Sequence, residues 1–440
     1  VAEYKNSLGA YDYNDLFPAL DEFTLDKNIY GSSNADEYIR HSYRGGWCYL
    51  VKGKENIVRH NGVTADVNSL YPSMMHSQSG NYFPIGKPYF WTGNIIPNEA
   101  IGENKYYFLR IKTRFYIKEN MLPFIQIKGN HLYKGTESLT TSDVLDKNGN
   151  YNRYYKDING NIKDTAQIMT VTMTDYKLML KHYELVDFEI LDGCWFYSAI
   201  GIFDNYINHY AEIKMNSKGA KRTEAKLFLN NLYGKLASSS NSSFKVAYVK
   251  DDDSIGFYIV PANNKKVGHI ATGSAITSYA RNFTITAAQK NYYGVDKAGF
   301  IYADTDSIHC DLPADKIKGI TVDPIKFCCW KLESSWDTAI FTRQKTYIEH
   351  ITHNDLIPVD EPYNDIKCAG MPQKCKDLFD KSMQGYKVKE SDNYTQSELK
   401  FLETKRDYND FKVGLCVPGK LLPKRIKGGV LLVDTTYEMR

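Results

Sequence analysis

With 440 residues the chain exceeds a usual single core, so division into subdomains is expected. Its hydrophobic content of 42% is ordinary for a globular protein, and a formal net charge of +3 is too small to announce nucleic-acid binding, so any basic groove must be local. No apolar run approaches the ~20 residues that cross a bilayer, no signal-peptide pattern opens the chain, and the eight cysteines form no C-x-x-C pair, which argues against structural zinc and for reduced thiols in a cytoplasmic protein.

Residues 1–40 read as polar and turn-rich, with Leu16-Phe17-Pro18 the one compact apolar patch. Tyr43-Arg44-Gly45-Gly46 precedes the aromatic and β-branched run Trp47-Cys48-Tyr49-Leu50-Val51, a predicted strand. Val63, Ala65 and Val67 alternate with Thr64 and Asp66, a strand that ends in a carboxylate and is broken at Tyr71-Pro72. From about 78 to 200 strands (Tyr106 to Leu109, Ile125 to Ile127) and the turns Asn148-Gly149-Asn150 and Asn159-Gly160-Asn161 predict a β-rich insertion. Residues 202–237 turn helical, and a four-residue step places positions 214, 218, 222, 226 and 230 near one face, with Leu227, Leu229 and Leu232 packing behind. A hairpin follows, Phe244 to Lys250 and Ile255 to Val260 around Asp251-Asp252-Asp253, which reads as a solvated turn rather than a metal site. Helix Ala275 to Lys290 leads to a second hairpin, Phe300 to Ala303 and Ile308 to Cys310, with Asp304-Thr305-Asp306 at its tip. Lys420, Lys424, Arg425 and Lys427 cluster near the end, and no repeat is evident. Most of the 35 tyrosines need no explanation beyond composition.

Nucleotidyl transfer requires charge neutralisation at the attacking oxygen, at phosphorus and at the leaving pyrophosphate, and two divalent metals with hard oxygen ligands meet that need. If the strands bearing Asp66 and the Asp304/Asp306 tip are neighbours, three carboxylates converge, and their mutual repulsion without metal makes such a cluster implausible as decoration. Either acidic motif alone is an ordinary turn. Lys214, Arg222 and Lys226 offer a triphosphate fixed cationic donors, against the plainer reading of a solvated charged face. Asn230 and Tyr233 add a hydrogen-bonding group and a flat platform on the Lys226 face, and Gly234 permits close approach of a base pair.

Taken together, Asp66 to Ser73, Lys226 to Gly234 and Tyr302 to Ser307 resemble motifs A, B and C of the family B DNA polymerases, in the protein-primed branch of bacteriophages and linear plasmids. Tyr43 to Gly46 resembles that family's template-strand motif and Lys345-Thr346-Tyr347 its primer-terminus motif. Lys367-Cys368-Ala369-Gly370-Met371 and Gly428 to Asp434 also match the phage-type branch. The resemblance implies an α+β right-hand architecture: palm 41–77 and 273–371, fingers 202–237, thumb 372–440, and two β-rich insertions, 78–201 docking a terminal (priming) protein and 238–272 encircling DNA to aid strand displacement. Residues 1–40 would be the tail of a proofreading exonuclease domain, so no proofreading is expected of this sequence, and a separate exonuclease is one conceivable partner. Val1, not a methionine, fits a processed or partial product.

By the same resemblance Asp66 and Asp306 are metal ligands with the Val67 carbonyl, Asp304 supports them, and the cofactors are two Mg²⁺ ions with Mn²⁺ as a substitute. Leu70, Tyr71, Lys214, Arg222, Lys226, Asn230 and Tyr233 bind the dNTP, Tyr71 as a steric gate against a 2′-hydroxyl. Tyr43, Gly45, Gly46, Ser69, Gly234, Thr305, Lys345, Thr346 and Tyr347 contact template-primer DNA. Arg222 stands where the family usually has lysine and Asn231 where serine is commoner. A monomer without membrane association, in the cytoplasm of a bacterial host, is the expected setting. A catalytically idle DNA-binding scaffold does not explain the intact charged residues, and a D-x-D sugar transferase leaves the 226–234 helix and Tyr71-Pro72 unexplained.

Overall fold

Alternating apolar residues carry Arg59–Val67 into the middle of a seven-stranded sheet. A computed structural model describes residues 1–241, 243–262 and 267–440; Ser242 and residues 263–266, inside the segment 238–272, lie outside the described residues. The sheet order is Cys48–Leu50, Phe300–Asp304, Ser307–Cys310, Arg59–Val67, Trp330–Arg343, Thr346–Asn354, Ile357–Cys368, every neighbouring pair antiparallel. Val63, Ala65 and Val67 are buried on its inner face in one core with Ala280, Ile285 and Ala288 of the long helix Ile270–Lys290. Small residues let that helix lie close: a Cβ on Gly273 would come within 2.9 Å of the Ala237 backbone.

The segment expected to be a β-rich insertion forms a second antiparallel sheet, Phe83–Thr92, Tyr183–Ala199, Lys105–Ile117, Gln167–Thr172. Ile125 to Ile127 is not a strand; only an isolated bridge between Ile125 and Leu139 is formed. Two small hairpins, Val144–Leu145 with Tyr151–Asn152 and Tyr154–Lys156 with Ile162–Asp164, use the same loop sequence, Asp-x-Asn-Gly-Asn. In each, the leading aspartate accepts backbone N–H bonds from residues two and four on (Asp146 from Asn148 and Asn150, Asp157 from Asn159 and Asn161). A short repeat therefore exists where none was expected.

Helices Asp204–Asn216 and Gly219–Leu236 turn back on each other, with Leu229, Leu232 and Leu236 buried. Leu227, expected behind the basic face, is exposed instead. The hairpin Ser243–Val249/Ile255–Pro261 reaches the tip of Cys416–Ile426/Gly429–Glu438, where the Arg425 N–H donates to the Asp253 carbonyl at 2.7 Å and Ser254 bridges Lys424. Helices Gln373–Gln384 and Gln396–Leu402 back the latter hairpin in a core that Leu378, Phe379, Phe401 and Val417 share with Ile340, Ile348 and Ile366 of the large sheet.

Residues 1–40, polar on average, pack as four short helices: Ala2–Ser7, Tyr13–Leu16, Lys27–Tyr30 and Ala35–Arg40. Tyr4, Leu20, Tyr38 and Ile39 are buried in a core shared with Phe203, Tyr206 and Phe108. The Tyr38 hydroxyl donates to Asp192, which also holds Arg110 at 2.6 Å. No described helix is long and apolar enough to cross a membrane, and all eight cysteines are free thiols.

Candidate active site

Strand register assembles the acidic floor. Asp66 stands opposite Ser307, and the Val67 N–H donates to the Asp306 carbonyl at 2.8 Å, so the end of one strand and the tip of the next hairpin are tied by backbone. Asp66 and Asp306 face one cleft of about 1030 Å³. Thr305 takes a left-handed conformation at φ 61°, turning the hairpin, and its N–H donates to the Trp47 carbonyl. Gly46 touches that turn from below: a Cβ there would lie 2.3 Å from the Thr305 hydroxyl oxygen. The Tyr43–Gly46 segment is held in place by Arg281, whose guanidinium donates to the carbonyls of Arg44 and Gly45 and pairs with buried Asp175 at 2.5 Å.

The third carboxylate, Asp304, lines a neighbouring hollow together with Asp66 and Asp306. Asp304 accepts from Lys345 through both oxygens at 2.9 Å, and Tyr302 and Thr305 approach at 3.3 Å. The three expected carboxylates thus line one hollow, with Asp304 in addition paired to a cation. Among the described residues no three His, Cys, Asp or Glu side chains form a metal cage.

Burial pushes the Asp66 carboxyl up to about 7, reinforced by Asp306 and Glu333 and opposed by Lys331 and Lys226. Asp306 is raised too, first by burial and then by Asp304 and Glu333. Acid groups held this far from their ordinary range lack positive charge. Two carboxylates with neighbouring backbone oxygen and open positions suit a hard divalent ion that completes its shell with substrate oxygens.

Across the cleft stands the cationic wall. Lys214, Arg222, Lys226, Asn230 and Tyr233 line it from the two antiparallel helices. Arg222 donates to the Lys214 carbonyl at 2.7 Å, and the Lys214 ammonium donates to Ser69 at 3.1 Å. Burial, with the repulsion of Arg222, Lys226 and Lys331, lowers the pKa of Lys214. An excess of acid on one side and of base on the other can hold a metal-bound polyphosphate between them.

At the inner end the rings of Tyr71 and Tyr233 stack at 4.4 Å, and the hydroxyls of Tyr233 and Tyr43 are hydrogen-bonded. Tyr71 and Pro72 do not merely end a strand; they lie in the first turn of helix Leu70–Met75, after Ser69 at φ 48°. The Leu70 side chain is buried, leaving its backbone to the cleft. A Cβ on Gly234 would meet nothing within 4 Å, and a Cβ on Gly45 likewise. Lys345 and Tyr347 line a second hollow of about 480 Å³ beside Asp304 to Ser307. Thr346 does not: its side chain is fully buried, its hydroxyl toward the Gln344 carbonyl.

Among the residues that escaped the sequence reading are Lys331, in the cleft, and Glu333, in the second hollow. They flank Leu332 in the strand Trp330–Arg343, and Lys331 stands directly opposite Asp66. The only sequence signal is the alternation Trp330-Lys331-Leu332-Glu333, which marks a strand but not its neighbour.

Similarity to known proteins bears on this geometry. The family described as DNA polymerase type B, organellar and viral, matches residues 21–317. Curated DNA polymerases align over nearly the whole chain: that of Bacillus phage Nf is 34% identical and that of Bacillus phage phi29 33% identical, each over 99% of this chain and 66% of its own length. The DNA polymerase of Streptococcus phage Cp-1 is 30% identical over 97% of this chain and 63% of its own length. A solved structure of phi29 DNA polymerase, complexed with primer-template DNA and incoming nucleotides, superposes with a TM-score of 0.74 at 31% identity, covering 100% of this chain and 66% of that one. The chain belongs to the type B DNA polymerases of organelles and viruses. It spans about two thirds of the length of these phage relatives, 66% for Nf and phi29.

Proposed function

We propose that this chain is a DNA-directed DNA polymerase that adds dNMP to a 3′-hydroxyl of a primer, with the cleft between Asp66/Asp306 and Lys214/Lys226 as its active site. One observation carries the reading: two under-neutralised carboxylates, at a strand end and a hairpin tip in the middle of the sheet, face three cations across a nucleotide-sized cleft. The phi29 enzyme that shares this fold is known with primer-template DNA and nucleotide bound, which supports the same ligands here. Asp66, Asp306 and the Val67 carbonyl would hold the ions, Mg²⁺ by donor chemistry. Two such ions supply activation of the attacking oxygen and neutralisation of the leaving pyrophosphate.

The chain's own groups orient the reactants. Lys214, Arg222 and Lys226 bind the triphosphate, Asn230 lies one turn beyond Lys226 on the same face, and the Leu70 backbone closes the phosphate end. The Tyr71 ring lies under the sugar, where a 2′-hydroxyl would collide. Lys345 and Tyr347, in the hollow beside Asp304, meet the primer end, and Tyr43, Gly45 and Gly46 meet the template beside Thr305. Ser69 and Gly234 complete the DNA path.

The insertion 78–201 would seat a priming protein, a role supported by the exposed Leu145, Tyr154, Ile158 and Ile162 on its small hairpins. The hairpin that meets the thumb would encircle DNA, and a phage enzyme of this kind would work in the cytoplasm of a bacterial host.

Primer extension with the four dNTPs and Mg²⁺ tests the reading. Asp306→Ala should abolish extension while primer-template binding, measured by mobility shift, persists. Extension by Asp306→Ala at the wild-type rate would overturn it.

A further inference from the structure

We infer that Lys331 is a placeholder cation, a positioning residue whose ammonium sits among the acidic side chains until divalent ions take their oxygens, and which then turns to the phosphates of the incoming nucleotide. This rests on the polymerase reading above. Directly paired residues of antiparallel strands present their side chains on the same face, so the Lys331–Asp66 register puts this lysine over the acidic floor by construction. Its Nζ lies 4.0 Å from Asp66 Oδ1 and 3.5 Å from Glu333 Oε1, between the two and bound closely to neither. The contrast is Lys345, clamped to both oxygens of Asp304 at 2.9 Å. A third of the Lys331 side chain is exposed, and it projects into the same cleft as Lys214, Arg222 and Lys226.

A divalent ion binds a carboxylate oxygen at about 2.0–2.6 Å, which places it within a few ångströms of the resting ammonium. The doubly charged ion wins the oxygens, and like-charge repulsion moves the lysine off on its flexible four-carbon stem. The anion within reach is then the triphosphate. Lys331 is thus suited to keep the metal-free floor from flying apart and to deliver a positive charge once metal and nucleotide are in place.

Lys331→Met, which keeps the stem, and Lys331→Arg, which keeps the charge, test this in the full chain. In EDTA the Met variant should melt below wild type, and the gap should close in saturating Mn²⁺. With its competitor gone, Mn²⁺ alone, titrated by electron paramagnetic resonance without DNA or nucleotide, should bind the Met variant about threefold more tightly. Its KM for dNTP should rise about tenfold, and Lys331→Arg should return all three readouts toward wild type. An unchanged Mn²⁺ affinity, an unchanged KM, or a melting gap that persists in Mn²⁺ overturns the proposal in favour of a plain structural ion pair. Failure of the wild type to extend a primer would instead remove the polymerase reading, leaving the metal and melting results to stand on their own.

Discussion

The acidic floor of the cleft is fixed by strand register, whereas its cationic wall stands on one pair of helices. Asp66 and Asp306 are tied through backbone hydrogen bonds within a seven-stranded sheet, so their separation cannot change without breaking the sheet. Arg222 and Lys226 project from an exposed helical face backed by Leu229 and Leu232, held by side-chain packing rather than by strand register. Floor residues should therefore govern the chemical step and wall residues the capture of nucleotide. Substitutions on each side can break or sharpen that division.

The largest effect is expected at the floor. Asp66→Asn should lower kcat on the order of 10³-fold or more in a primer-extension assay. It should do the opposite to stability. The native Asp66 carboxyl is raised to about 7, so without metal the folded state binds the extra proton between the unfolded and folded pKa values, and stability falls as pH climbs through that window. Removing the charge should stabilise the metal-free chain at pH 8 on the order of 3 kcal/mol and leave it unchanged near pH 4, as thermal melts in EDTA would record. A metal-free Asp66→Asn chain no more stable than wild type at pH 8 would show the floor to be already neutralised.

Gly46→Ala comes next, because its new methyl group collides with Thr305 and shifts the Asp304–Asp306 turn. A displacement near 1 Å should cost about 10²-fold in kcat with nucleotide KM nearly constant. At the wall, Lys226→Ala should raise the KM for dNTP about tenfold and change kcat less. Equal losses in both parameters would erase the division between the two sides. The smallest effect concerns selectivity: Tyr71→Val should relax discrimination against ribonucleotides severalfold, on the order of what one pocket contact confers, measured as the ratio of kcat/KM for dNTP and rNTP.

The same asymmetry decides what could be read from the sequence. Short-range patterns reported themselves: the alternation ending at Asp66 and the hairpin tipped by Asp304 and Asp306 fold as expected, whereas the four-residue step holds only for Arg222, Lys226 and Asn230, because the chain turns at Ser217-Lys218 and leaves Lys214 on the preceding helix. What escaped depends on contacts between distant segments. Lys345 pairs with Asp304, and no local signal announces an ion pair across 41 residues. Lys331 meets Asp66 through a register that only the folded sheet defines. Leu227 points outward because the neighbouring helix covers a narrower stripe than its run of leucines advertises. Thr346 lies on the inward side of its strand, between two residues that face the hollow. Residues 1–40 hide their packing because a few well-spaced apolar side chains suffice to dock short helices, whatever the average polarity.

The joint between the two projecting hairpins has a consequence for loading. It is fastened by a backbone hydrogen bond, one bridge and the Arg425–Asp253 pair, whose side chains are 61% and 53% exposed. Such exposed pairs contribute about 0–1 kcal/mol and are screened by salt. On the reading proposed, a threaded strand would be retained because leaving requires sliding to a free end. A circular template could enter from the side only by parting this small joint, whose charged part salt weakens.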